Sequence, residues 1–217
     1  MIGAMTDVGT RGVRLKGEAR EARPSGKQRL LEAAERLFAS KGFLEVSAAE
    51  IAREAQVAHG LLFHHFGSME DLYAEVSRAA AQRMDQTQSE SFRGRTARDQ
   101  IASFLRAHMR SVRQRQGDAV FRARSHNVAV NAKVVDIWEA SRQEAISRIC
   151  MTLGKRVPSK KERTVLRAWI GFHDQLVLAW LADRSVTEAD VLAWTLRQLE
   201  HLASDVLDVD LDGAPAT

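Results

Sequence analysis

The sequence predicts an all-α fold in which a small three-helix N-terminal unit precedes a larger helical domain. Apolar residues recur at three- and four-residue spacings along most of the chain, and no stretch alternates as a strand would. The three prolines, Pro24, Pro158 and Pro215, each fall at a predicted helix boundary. Helix-start chemistry, a serine followed three residues later by a polar or acidic side chain, recurs at Ser25, Ser47 and Ser68. At 217 residues with 45% hydrophobic content, the chain is long enough for a small module plus a larger domain.

The first helix opens at Ser25 and Gln28 and carries Leu30, Leu31, Ala34, Leu37 and Phe38 at helical spacing. Gly42 stands where a left-handed residue would stop it. Ser47 and Glu50 then form a capping box, and Ile51, Ala52 and Ala55 make the inner stripe of a helix of about two turns. The small alanines let a second helix cross closely, with Val57 as an apolar plug in the turn. Leu62 and Phe66, four residues apart, anchor that second helix on the same core. His59, Gly60, Phe63 and His64 therefore project outward, with Leu61 at the margin. Gly67-Ser68 breaks the helix, and Ser68 with Asp71 caps the next. Two short helices around a tight turn form a helix-turn-helix, which presents one small helix to DNA.

Beyond Tyr73 the chain reads as helices separated by short breaks. One is expected from about 69 to 90, and another after Thr96 with Ile101, Leu105, Met109 and Val112 on one face, ending at Gly117-Asp118. Phe121 to Val130 fits either a short helix or a turn. A longer helix spans roughly 131 to 153, carries Val134, Val135, Trp138, Ala145, Ile149 and Leu153, and is closed by Gly154 and Pro158. From about 160 to 182 one stripe is Val165, Trp169, Phe172, Leu176 and Trp180, and a second is Leu166, Ile170, Val177 and Leu181. Thr187-Glu188 opens a final helix with Val191, Thr195, Leu199, Leu202 and Val206 beside Leu192, Leu196 and Ala203. A helix apolar on two faces must bury both. Either these last two helices form a buried hairpin in a monomer, or two copies build a four-helix homodimer interface from them.

Several function classes are excluded or disfavoured. None of the seven histidines has Glu three residues before it, as a di-metal bundle requires, and HExxH, P-loop, GxGxxG and GxSxG motifs are absent. No enzyme activity, metal or cofactor is expected. The single cysteine, Cys150, rules out an internal disulfide and suits a reducing compartment. With no apolar run near 20 residues and no signal-peptide core, the expectation is a cytoplasmic protein without a membrane partner. The net charge of +4 favours polyanions only mildly. Between residues 11 and 29, Arg11, Arg14, Lys16, Arg20, Arg23, Lys27 and Arg29 face only Glu18 and Glu21, a local charge of 7 − 2 = +5. This basic arm either tracks phosphates and a minor groove or is a solubilising leader.

The stretch from Lys27 to Tyr73, with LLEAAERLFASKGF, then IAREAQV, then G-x-x-x-x-HF and the acidic EDL, resembles the TetR (TetR/AcrR) family of transcriptional regulators. The resemblance implies an all-α dimer: an N-terminal three-helix DNA-binding domain with helix-turn-helix and a C-terminal helical ligand-binding and dimerisation domain. It also implies a repressor bound to double-stranded operator DNA until a small-molecule effector arrives. Where that family usually has Gly, Ser, Tyr and Lys, this chain has Gln56, Ala58, Phe63 and Met69, which removes a helix cap and two phosphate contacts.

The expected organisation is a basic arm at 1–24, the DNA-binding domain at 25–72, the effector and dimerisation domain at 73–208, and a tail at 209–217. The expected DNA-facing residues are Lys27, Ser47, Ala58, His59, Gly60, Leu61, Phe63, His64 and Met69. His59, Gly60, Leu61 and His64 would meet base edges, and Ser47 a phosphate. Phe104, His108, Phe121, His126, Trp138, Trp169, Phe172 and His173 are the expected lining for a drug-sized, largely apolar effector. The contiguous His173-Asp174 is the most unusual polar feature of that region. The alternative is a DNA-binding or protein-interaction module with no small-molecule switch.

Overall fold

The computed structural model describes residues 24–41, 43–114, 132–183 and 185–213, and all regular structure among them is helical. The helices are α1 (Gly26–Ser40), α2 (Ala48–Glu54), α3 (Gly60–Phe66), α4 (Met69–Ser89), α5 (Ala97–Gln114), α6 (Ala132–Thr152), α7 (Lys160–Ala182) and α8 (Glu188–Leu202). A 3-10 turn at Phe43–Glu45 and a π-helical turn at Ala203–Leu207 complete the set. Gly42, Gly117-Asp118, the ambiguous 121–130 segment and the arm through residue 23 lie outside the described residues. Lys27 and Arg29, the last two cations counted with the arm, belong to α1.

Side chains at the expected places satisfy the helix starts. Ser25 Oγ accepts from Gln28 N–H at 3.1 Å, Ser68 Oγ from Asp71 N–H at 3.0 Å and Thr96 Oγ1 from Asp99 N–H at 3.0 Å. Ser159 with Glu162 and Thr187 with Asp190 form complete reciprocal capping boxes on α7 and α8. Such caps each stabilise a helix by about 1 kcal/mol.

The N-terminal core gathers Leu30, Ala34, Phe38, Ile51, Leu62, Leu72 and Tyr73, all buried. Phe38 meets Tyr73 edge-on with ring centres 5.1 Å apart, and Phe43 lies 4.7 Å from the same ring. Tyr73 and Val76 belong to this core, so packing crosses the expected boundary after residue 72 and α4 is shared by both parts. The larger domain centres on Ile101, Leu105, Ile146, Ile149, Leu166, Trp169 and Leu199, with a second apolar cluster of Met109, Val112, Val177 and Val191.

One expectation needs correction. The segment read as a tail is docked as far as residue 213: Leu211 is buried, and its carbonyl accepts from Arg98 N–H at 2.9 Å at the start of α5. The two stripes of α7 also fare differently. Leu166, Ile170, Val177 and Trp169 are buried, whereas Phe172 remains 38% exposed, near the 40% of Trp194 on α8. Trp169 is core because its indole N–H reaches inward to the carbonyl of Thr195 at 2.9 Å.

Candidate functional site

The exposed end of the N-terminal unit is built around α3. Its anchor, Leu62, has no exposed surface, so the opposite face must look outward, and His59, Gly60, Phe63 and His64 are all exposed. His59 and Phe63 sit edge to face with ring centres 5.5 Å apart. His65, passed over in the sequence reading, is also exposed, and its ring centre lies 5.3 Å from that of His64. Its signal was weak: with Leu62 and Phe66 inward, position 65 falls on the flank of the helix rather than on its outer face.

Leu61 is half-buried, at the margin where its spacing places it. It packs so tightly on the start of α1 that a Cβ at Gly26 would lie 2.8 Å from Leu61 Cδ2. Any side chain at position 26 would displace it. Met69 is half-buried against the N-terminal core, and Lys27 Nζ lies 5.6 Å from the centre of the Phe66 ring. Ala58 is exposed and Ser47 caps α2, its Oγ accepting from Glu50 N–H at 3.2 Å. The Glu50 carboxylate is held by the Lys41 ammonium, and that hydrogen bond keeps its pKa below the ordinary range.

The departures read from the sequence have local consequences. Gln56 adopts φ +54°, a left-handed conformation that a residue with a Cβ enters at a cost of about 1 kcal/mol. The tight turn requires it: Val57 N–H donates to Ala52 O at 3.0 Å and Gln56 N–H to Arg53 O at 3.1 Å. The start of α3 has no side-chain cap, and Leu61 N–H donates instead to the carbonyl of Ala58 at 3.0 Å. Gly67, at φ +80°, ends the helix and lets Ser68 begin the next.

A second candidate site lies between α4, α5, α6 and α7: a cavity of about 30 Å³, room for two water molecules or so. Of the eight expected lining residues, Phe104, His108, Trp138 and His173 line it. Trp169 is in the core, Phe172 is on the surface, and Phe121 and His126 lie outside the described residues. The sequence reading missed Gln88, Ser141 and Arg142, which share the wall with Asp174.

These groups form a network. Gln88 Nε2 donates to His108 Nδ1 at 2.9 Å, an arrangement that leaves the proton of a neutral His108 on Nε2, 3.6 Å from Asp174 Oδ1. Asp174 Oδ2 accepts from Arg142 Nη2 at 3.1 Å. Thr195 Oγ1 donates to Val191 O at 2.7 Å and so accepts from His173 Nδ1 at 3.1 Å. No cluster of three or more His, Cys, Asp or Glu side chains among the described residues is placed to hold a metal. The Cys150 thiol is buried, which pushes its pKa up and makes it a poor nucleophile.

The chain is thus an all-helical protein in two parts: a small capped unit presenting one exposed helix, joined through a shared helix to a larger unit with a polar-walled cavity. Residues 30–76 match the family model for bacterial regulatory proteins of the tetR family. Over these residues the chain is similar to the tetR family. It is similar to the HTH-type transcriptional repressor AcnR of Corynebacterium glutamicum, with 29% identity over 105 residues, 46% of this chain and 56% of that protein. It is also similar to the HTH-type transcriptional regulator AcrR of Shigella flexneri, with 39% identity over 61 residues, 28% of this chain and 26% of that protein. The chain thus spans little more than half the length of the AcnR relative it matches. A tetR-family regulator from Streptomyces coelicolor shares the fold with a TM-score of 0.72 at 22% identity, covering 82% of this chain and 80% of that one.

Proposed function

We propose that this chain is a ligand-responsive transcriptional repressor that binds a twofold operator as a homodimer. The observation that carries this is the outward face of α3, with His59, Phe63 and His64 exposed, in a unit where the start of α2 is capped by Ser47. A histidine can donate to the N7 or O6 of guanine in a major groove, and the amides at the start of α2 suit a phosphate. One such helix reads only a few base pairs, so a symmetric pair is needed for an operator. The exposed Phe172 and Trp194 on α7 and α8 support a partner copy covering that face. No helix among the described residues is long and apolar enough to cross a membrane, in keeping with a protein acting on DNA in the cytoplasm.

The test is the double substitution His59→Ala with His64→Ala. Preference for a selected operator over unrelated duplex is expected to fall by about tenfold or more, each base contact being worth about 1–3 kcal/mol. Equal loss on both duplexes would refute base reading by these two residues.

The effector is read from the cavity wall. Met84, Phe104 and Trp138 supply an apolar side and Gln88, His108 and Arg142 a hydrogen-bonding side. The proposed effector is therefore amphipathic, with a polar head, rather than largely apolar throughout. A second reading, a regulator with no small-molecule switch, is favoured by one observation: the cavity is smaller than any drug-sized molecule. A thermal-shift screen of small amphipathic compounds separates the two, since any ligand that binds the folded form raises Tm.

A further inference from the structure

Trp138 belongs to two places at once. Its indole packs against the N-terminal core that seats α3, and it is also a wall of the cavity between α4, α5, α6 and α7. Among the partly buried apolar side chains on the N-terminal core, Val134 is its companion from α6. The same end of α6 carries Lys133, whose ammonium pairs with Asp71 in the first turn of α4. Further along α6, Ser141 Oγ donates to Asp85 Oδ1 at 2.6 Å, and Arg148 Nη1 to the Asp85 carbonyl at 3.2 Å. One helix turn beyond Trp138, Arg142 is held by Asp174 of α7. The end of α6 nearest the N-terminal unit is thus held by packing and one ion pair, while its middle is held by polar bonds.

We propose that Trp138 is a positioning residue for DNA binding: its indole keys the N-terminal domain to the effector domain, and whatever occupies the cavity acts on the DNA-binding helices by moving that ring. The proposal rests on the cavity being the effector site. The physical reason is volume. A cavity of about 30 Å³ cannot enclose an organic effector unless a wall moves, and Trp138 is the largest wall residue. The other aromatic wall, Phe104, is buried and stacked on Phe92 with ring centres 4.8 Å apart. The network around Arg142, Asp174, His108 and Gln88 holds the polar wall by charge-assisted bonds. Trp138 is only partly buried and packs on side chains of another domain. Swinging it outward withdraws its contact with the N-terminal core, so ligand occupancy and the docked position of α1 to α3 compete. That competition is the differential affinity a switch requires.

Trp138→Ala in the full-length protein, with indole as the probe, tests this. The variant is expected to stay folded and to lose roughly tenfold in affinity for a duplex selected by the wild type. Millimolar indole is expected to restore most of that loss by refilling the hole, while leaving wild-type binding unchanged or weaker. Val135→Ala, on the exposed side of the same helix, is expected to change nothing. A folded W138A with wild-type DNA affinity overturns the proposal, and so does a loss that indole leaves untouched. Should W138A fail to fold, Trp138→Leu carries the same expectation at about threefold, and wild-type affinity in that variant overturns it. The two readings fail separately. A wild type released by a screened compound beside an unaffected W138A refutes the coupling alone. Indole rescue without any releasing compound refutes the effector site alone.

Discussion

Leu30, Phe38, Ile51, Leu62 and Leu72 fill the N-terminal core, and no polar residue between 24 and 72 is buried among those described. The interior of the effector domain instead holds Gln88, His108, Ser141, His173 and Thr195 as buried groups. The first core can settle only one way, because apolar packing at native density fixes shape without needing partners. The second depends on every polar group finding its bond, and a partly satisfied network is costly. The N-terminal core is therefore held by packing alone, whereas the interior of the larger domain is held by packing and by a connected set of hydrogen bonds. This contrast is the physical basis for assigning DNA reading to one part and sensing to the other.

The contrast is broken most directly at Leu62, fully buried under α3. Leu62→Ala should destabilise the protein by about 3 kcal/mol through lost burial and a cavity, with DNA binding falling alongside. Denaturant unfolding checks it, and a loss below about 1 kcal/mol would show a core looser than described. Next in size is Asp174→Ala, which leaves Arg142 and His108 without their shared acceptor. A loss of about 2 kcal/mol is expected from a charged hydrogen bond that is mostly shielded from water. Operator affinity measured below the unfolding range should change less than in L62A.

Gln56→Gly sharpens the comparison in the opposite direction. Relief of a left-handed φ of +54° should raise stability by about 1 kcal/mol, seen as a higher Tm. An unchanged or lower Tm would mean that the Gln56 side chain makes up the strain elsewhere. Ala58→Ser should add up to about 1 kcal/mol by capping α3, and it is checked by helix protection in hydrogen exchange.

The smallest effect concerns Asp71. The Lys133 hydrogen bond, followed by that from Ser68, lowers its pKa from the usual 3.8. A carboxylate with a depressed folded pKa stabilises fully above its unfolded pKa, and that contribution is lost as pH falls through the folded one. Tightening of α6 on α4 should therefore be intact above about pH 4 and weaken only below it. Lys133→Ala should move the Asp71 titration, followed by carboxyl NMR, back toward 3.8. No movement would remove this ion pair from the account.

Much of the N-terminal unit was legible because its determinants are local. Ser25, Ser47 and Ser68 cap helices at the positions their spacing implies, and Leu62 anchors α3 as its period requires. Leu61 stands at the margin as its spacing implies, but its contact with Gly26, 35 positions away in sequence, was not legible. The cavity was half legible. Aromatic and histidine residues at helical spacing brought forward Phe104, His108, Trp138 and His173. Gln88 and Arg142 remained hidden because their spacing also fits a solvated face, and only long-range packing of α4 and α6 turns them inward. Phe172 does not line the cavity, because it lies on the apolar face of α7 that the described chain leaves uncovered.

The central claim is that two copies of α3, held by one symmetric dimer, read DNA. Selection of bound duplexes from a random pool by the purified full-length protein tests it most directly. The account predicts an enriched inverted repeat whose half-sites are about one helical turn apart, near 34–36 Å, with G-containing half-sites lost in the His59→Ala, His64→Ala variant. Enrichment of no symmetric sequence would contradict it.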